Sequence, residues 1–148
     1  MIVKDVYLRD VTSVSLNSNI KSVIKLFNLT RYYALPITNV DNEYIGCIDI
    51  SDIIDSCVPK YMKDLSSSAF LPDVDMFYNR LNNVKDMLVK DLIKDDYPTL
   101  REEDSVSYAA DLLEKFNRRT LPVLDGKKLL GILTRLEIIS VLIKKESI

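Results

Sequence analysis

Histidine is absent from the 148 residues of this chain. That removes every mechanism in which imidazole acts as base or metal ligand, and leaves Asp, Glu, Lys, Tyr, Ser or Cys for any chemistry. Cysteine is nearly absent: Cys47 and Cys57 are too few for a disulfide framework or a structural zinc site, and Cys47 lies within the apolar run IGCIDI, so both read as core thiols. Only 3 glycines occur, and no Gly-rich phosphate loop can be drawn from them. Few glycines and prolines beside 47% apolar residues indicate a soluble globular chain rather than a disordered or fibrous one. Long hydrophobic runs are missing too. The opening MIVKDVYLRDVTS carries charges every few residues and no apolar signal core, so neither a leader nor a membrane span is predicted, and a cytoplasmic location is expected. A surplus of one charge is also lacking: 20 basic residues face 22 acidic ones, interspersed, which gives no basic footprint for a nucleic-acid partner or an anionic membrane.

What the chain does have is an internal repeat. VKD at residues 3–5 returns at 89–91, and the same displacement carries Asp10 to Asp96, Ile20 to Val106, Leu26 to Leu112 and Leu35-Pro36 to Leu121-Pro122. One residue is lost from the second copy after the proline, so Gly46 matches Gly131 and Ile53-Ile54 match Ile138-Ile139. In each copy an amphipathic helix is predicted first, with Ile20, Val23, Ile24 and Phe27 on one face of the first and Val106, Ala109, Ala110 and Leu113 on one face of the second. Ser18 and Asp104 are the expected N-caps. A hairpin follows, ALPIT to YIGCID around Asp41-Asn42 and TLPVL to KLLGILT around Asp125-Gly126, and then a second helix. Short apolar pieces at Val14 and Leu100 would supply a first strand. The order is β-α-β-β-α twice, an α/β (α+β) fold class. Each half leaves a surface uncovered and is too small to be stable alone, so the two should pack about a pseudo-twofold axis.

The expected division is residues 1–58 for the first copy, 59–83 for a helical insert and 84–148 for the second copy. Within the insert, Ser66-Ser67-Ser68 and Pro72 punctuate the chain, after which Val74, Phe77, Tyr78 and Leu81 fall at helical spacing. Such a helix either docks on its own domain or serves a dimer or partner contact.

A VKD opening, a short strand, an amphipathic helix, an apolar-Pro-apolar strand, a hairpin and then GILTRLEII together resemble the cystathionine β-synthase (CBS) domain. The duplicated arrangement resembles the tandem CBS pair called a Bateman module, over nearly all of the chain outside the insert. The resemblance implies a regulatory module, often a disc-shaped homodimer, that binds AMP, ADP, ATP or a related adenosyl ligand such as S-adenosylmethionine, with no obligatory cofactor.

Carried over residue by residue, the family's motif places phosphate at Thr134 and the ribose hydroxyls at Glu137, where the family usually has Asp. Thr-x-x-Glu is equally a capping box, so the residues alone leave a cap and a ligand contact as alternatives. The resemblance adds Arg119, with Arg118 and Arg135 nearby, as phosphate-facing cations; both Arg118 and Arg119 could equally be a solvated helix end. It also implies backbone groups of Thr99 and Leu100 toward the base, and Leu121 as an apolar wall. In the first copy Asp49 stands in the place of Thr134 and Tyr33 in that of Arg119, while Asp52 could still hold a ribose. Asp49 would repel a phosphate, so the second copy is expected to take the anionic nucleotide.

Three functions follow in order: a stand-alone binding module that signals to a regulated protein, a ligand-free dimerisation or interaction scaffold, and an enzyme. No nucleophile, phosphate loop or metal-ligand spacing supports the last, and no catalytic residue is expected.

Overall fold

The computed structural model describes residues 1–59, 74–93 and 96–146. Ser66-Ser67-Ser68 and Pro72 lie outside the described residues.

Helix α1 (Ile20–Thr30) buries Ile20, Val23 and Phe27, the predicted face. Its cap is Asn19 rather than Ser18: the Asn19 side chain accepts from the Ser22 N–H at 2.8 Å. The equivalent helix of the second repeat begins one residue late in the same way, with Ser105 Oγ accepting from the Tyr108 N–H at 3.0 Å. Ser18 and Asp104 cap the preceding turns instead, Ser18 Oγ taking the Ser15 N–H at 3.0 Å and Asp104 Oδ2 the Arg101 N–H at 2.8 Å. Short polar side chains serve either duty, and the turn uses the first of the two available.

Strands β1 (Ala34–Thr38) and β2 (Tyr44–Asp49) form an antiparallel hairpin, to which Val14 adds one parallel bridge at Ile37. Asn42 turns that hairpin at φ 61° and Gly126 turns its counterpart at φ 59°, the left-handed conformation these residue types tolerate. Helix α2 (Ile50–Cys57) follows directly, then α3 (Val74–Val84) and the short α4 (Val89–Leu92). The second repeat has β3 (Leu100–Arg101) parallel to β4 (Thr120–Asp125), which pairs antiparallel with β5 (Lys128–Thr134); α5 (Val106–Lys115) lies between β3 and β4. The last helix breaks at Ser140 into α6 (Arg135–Ile139) and α7 (Val141–Glu146).

The two VKD openings are exchanged between the repeats. The Val3 N–H donates to the Asp104 carbonyl and Lys4 N–H to Glu102, and in the same pattern Val89 N–H donates to Ser18 and Lys90 N–H to Leu16. Each opening also receives the first N–H of the opposite helix, Ile20 to the Met87 carbonyl and Val106 to that of Met1. Those are groups a helix start leaves without an intrahelical partner. Side chains follow the backbone: Val84, Val89 and Leu92 join the core of the first repeat, while Val3 and Val6 join that of the second. Helix α3 docks through Leu81 and Val84 on the first repeat, with Tyr78 exposed.

Gly131 is where this exchange needs a glycine. Leu8 bridges Ile132 along the edge of β5, and a Cβ on Gly131 would stand 2.0 Å from the Leu8 carbonyl oxygen. At Gly46 the nearest atom would be a side-chain methyl at 3.8 Å. The hairpins also touch: Tyr44 N–H donates to the Lys127 carbonyl at 2.7 Å and Leu129 N–H to that of Asn42 at 3.2 Å.

Candidate functional site

At the opposite end of the strands, both β hairpins run into a helix start. In the first repeat Asp49 caps α2, accepting from Ser51 N–H at 2.9 Å, while the Asp52 carboxylate reaches back to Asp49 N–H at 2.8 Å. In the second repeat Glu137 accepts the Thr134 N–H at 3.0 Å and the Thr134 hydroxyl as well. Both sequences thus form the same backward-reaching box, one as Asp-x-x-Asp and one as Thr-x-x-Glu. Both bonds to Glu137 use Oε2.

The repeats meet here. The Arg119 guanidinium lies 4.5 Å from the centre of the Tyr33 ring, and these are equivalent positions of the two copies. Beside them opens a cavity of about 330 Å³ lined by Tyr33, Asp49, Ser51, Ile54, Asn117 and Arg119. A larger open groove of about 510 Å³ lies at the Thr38 end of the first sheet, but its lining, including Ser13, Thr38 and Asn39, carries no charged side chain.

Arg118 crosses the interface. Its Nη1 lies 3.3 Å from Asp49 Oδ2, with side chains only 21% and 13% exposed, and its guanidinium stacks 4.3 Å over the Tyr97 ring. Its Nε is buried without a hydrogen-bond partner among the described residues, as is the Thr120 hydroxyl. Burial, with the nearby Cys47 and Asp49 next in importance, holds the Tyr97 hydroxyl well above its ordinary range, and that hydroxyl donates to the Thr120 carbonyl at 2.6 Å. Cys47 is buried, and that burial raises its thiol far from ionisation, the state of an inert core cysteine.

On the Glu137 side the neighbour from the first repeat is Tyr32, not a cation. Tyr32 donates to Asp10 Oδ2 at 2.6 Å, and Asp10 Oδ1 accepts from the Thr12 hydroxyl and N–H at 2.6 and 2.9 Å. Burial first, then the Asp10 hydrogen bond and charge, and last the charge of Glu137 push the Tyr32 hydroxyl up to about 12. The bonds from Thr12 and Tyr32 hold Asp10 below its usual value against a smaller effect of burial.

The structure therefore divides the residues named from the sequence. Thr134 and Glu137 sit together, half-buried, at the start of α6. Arg118 and Arg119 face the first repeat, beside Asp49 and Tyr33. Arg135 turns away: its Nε donates to the Arg118 carbonyl at 2.9 Å, Nη2 to that of Leu113 at 3.2 Å, and Nη1 to Glu114, so it closes the C-terminal end of α5. Leu100 and Leu121 are 1% and 0% exposed within the second core and do not reach the cavity, while Thr99 beside them is half-buried. Asp52 is 6% exposed, behind Asp49. Tyr32, Tyr33, Asn117 and Thr120 are the additions made by the structure; only the correspondence of Tyr33 with Arg119 had a signal in the sequence, as paired positions of the repeat.

Comparison with known proteins agrees with this arrangement. The CBS domain pattern matches twice, at residues 3–58 and 89–144. An uncharacterized protein of Methanocaldococcus jannaschii is 27% identical over 97% of this chain and 92% of its own length, and a CBS domain-containing protein of Dictyostelium discoideum is 26% identical over the same shares. Among solved structures, CBSX2 in complex with AMP superposes with a TM-score of 0.73 at 19% identity, covering 98% of both chains. The CBS domain pair of protein MJ0100 in complex with 5′-methylthioadenosine and S-adenosyl-L-methionine gives 0.70 at 19%, again over 98% of both chains. Two matched repeats, a mixed α and β fold shared with CBS pairs, and equivalent residues meeting across one interface lead to one identification: the chain belongs to the CBS domain family and carries two CBS domains in tandem.

Proposed function

We propose that this tandem pair is a non-catalytic regulatory module that binds an adenosine-type ligand, AMP, ADP, ATP or an adenosyl compound such as S-adenosylmethionine, in the cleft between its repeats. The observation that carries the reading is the inter-repeat contact of Tyr33 with Arg119, beside which a cavity of about 330 Å³ opens between the start of α2 and the Asn117–Arg119 segment of the second repeat. Carboxylates one turn into the two motif helices, Glu137 and, behind Asp49, Asp52, are the group type that accepts from a cis-diol, which donates two hydrogen bonds. Arg119, stacked rather than ion-paired among the described residues, suits a phosphate at the other end of the ligand. Relatives of the same fold that hold AMP, or methylthioadenosine and S-adenosylmethionine, support the ligand class. Because the ligand bridges two repeats, it favours whichever packing lets both sides touch it, and it changes the surface offered to a regulated protein in the cytoplasm. Calorimetric titration with AMP, ADP, ATP and S-adenosylmethionine tests this. Binding that is lost in Glu137→Ala is the expected result, and no heat from any of the four at millimolar concentration rules it out.

One observation favours a second reading, a dimerisation scaffold. Leu136, Ile139, Leu142 and Ile143 are each 63–69% exposed along α6 and α7. Such a stripe on one helical face is costly to leave in water. Replacing Ile139 and Leu142 by Lys should convert a homodimer to monomer in light scattering; an unchanged mass in both proteins argues against this role.

A further inference from the structure

We infer that Asp49 sets the charge preference of the cleft on the side of the first repeat, by capturing Arg118 and so withholding that guanidinium from anionic ligands. This rests on the adenosine-ligand reading above and specifies which members of that ligand class this side accepts.

The two repeats differ at the start of the motif helix. The second motif helix starts with neutral Thr134 and the first with Asp49. Across the interface, the residue equivalent to Arg118 in the first repeat is Tyr32. The two differences go together: the acidic cap Asp49 pairs with Arg118, whereas the repeat with the neutral cap Thr134 has Tyr32 as the corresponding residue, near Glu137. Neither substitution is explained by its own helix, since Thr and Asp both make good caps.

The geometry shows what the pairing does. Arg118 Nη1 and Asp49 Oδ2 are 3.3 Å apart and mostly shielded from solvent, so the carboxylate that lines the cavity neutralises the guanidinium directly behind it. Arg118 is held further by the Tyr97 ring at 4.3 Å, yet its Nε has no hydrogen-bond partner among the described residues. A guanidinium with an unused donor is able to take an additional acceptor. Asp49 lines the cavity and Arg118 does not. Arg119 remains at the cavity, stacked on Tyr33, as one cation rather than two. A singly positive cavity beside a carboxylate favours adenosine or methylthioadenosine over a nucleotide with two or more phosphate charges, because each added negative charge must approach Asp49.

Removing the carboxylate while keeping the cap should release Arg118. Asp49→Thr reproduces the residue of the second repeat, and Asp49→Asn keeps the shape and the bond from Ser51 N–H; the pair guards against a folding defect in either one. The dissociation constants of AMP and of adenosine are measured by calorimetry for the intact protein, both variants and the double variant Asp49→Thr/Arg118→Met. The expected result is a gain of about tenfold in AMP affinity, a difference of about 1.4 kcal/mol. Adenosine should change less than threefold, and the gain should vanish in the double variant. An AMP-to-adenosine ratio unchanged by both single variants overturns the inference, as does a gain that persists without Arg118. Absence of any adenosyl binding to the intact protein is a separate outcome; it removes the nucleotide reading itself and this inference with it.

Discussion

Tyr33 and Arg119 occupy the same position in the two repeats and touch each other, guanidinium over ring at 4.5 Å. Equivalent residues can meet only where the local symmetry axis passes between them, so this contact marks the axis relating the CBS domains. It also explains why the site is asymmetric: a twofold relation brings each residue to its own counterpart, and here the counterpart of an aromatic ring is a cation.

The ion pair beside that axis couples the repeats energetically. In a double-mutant cycle over Asp49→Asn and Arg118→Met, urea unfolding should give a coupling in the upper part of the range of about 0.5–3 kcal/mol found for contacting groups in one network. A largely exposed pair would give less than about 1 kcal/mol. A coupling within error of zero would show that Arg118 is held by the Tyr97 ring alone.

The exchanged openings make the two motif glycines unequal. Gly131→Ala drives a Cβ into the Leu8 carbonyl and should cost about 1–3 kcal/mol or more through displaced backbone, as overpacking does. Gly46→Ala meets only a methyl at an ordinary distance and should stay within about 0.5 kcal/mol. Equal losses in thermal or urea unfolding would contradict the packing of Leu8 on β5.

Arg135 and Glu137 are two residues apart and should separate stability from binding. Arg135→Met takes the side-chain donor from the Arg118 carbonyl and one of two donors from the Leu113 carbonyl, which keeps the Arg118 N–H, so unfolding free energy should drop by about 0.5–1.5 kcal/mol, the net worth of a lost hydrogen bond. Ligand affinity should change little. Glu137→Ala should do the reverse, with affinity for an adenosyl ligand falling at least tenfold and only about 0.5–2 kcal/mol of capping lost.

Tyr32 and Asp10 predict opposite ends of the pH profile. The folded state keeps the Tyr32 proton up to about 12, above the ordinary 10.0, so its stabilising effect is complete below pH 10 and fades as pH rises toward 12. Asp10 is held below its ordinary 3.8; its contribution is complete above that value and is lost as pH falls beneath it. Tyr32→Phe should flatten the alkaline limb of melting temperature against pH, and Asp10→Asn the acid limb. Parallel curves for the variants and the parent protein would refute the pairing.

The sequence by itself determined the repeat, the apolar faces, the hairpin turns at Asn42 and Gly126 and the box at Thr134, because each is a local pattern whose period or spacing is set by the backbone; that Asp49 and Asp52 form the same box is a finding of the structure. It placed the caps of α1 and α5 one residue early, since Ser18-Asn19 and Asp104-Ser105 each offer two competent acceptors and only the turn geometry chooses between them. Tertiary structure alone decided that the two VKD openings change places, that Arg118 serves Asp49 while Arg135 closes α5, and that Tyr33 faces Arg119. The physical reason is common to all three. Each is a contact between segments far apart in the chain, fixed by which surfaces remain uncovered after the repeats have formed, and a long side chain such as arginine can reach any of several acceptors until that packing selects one.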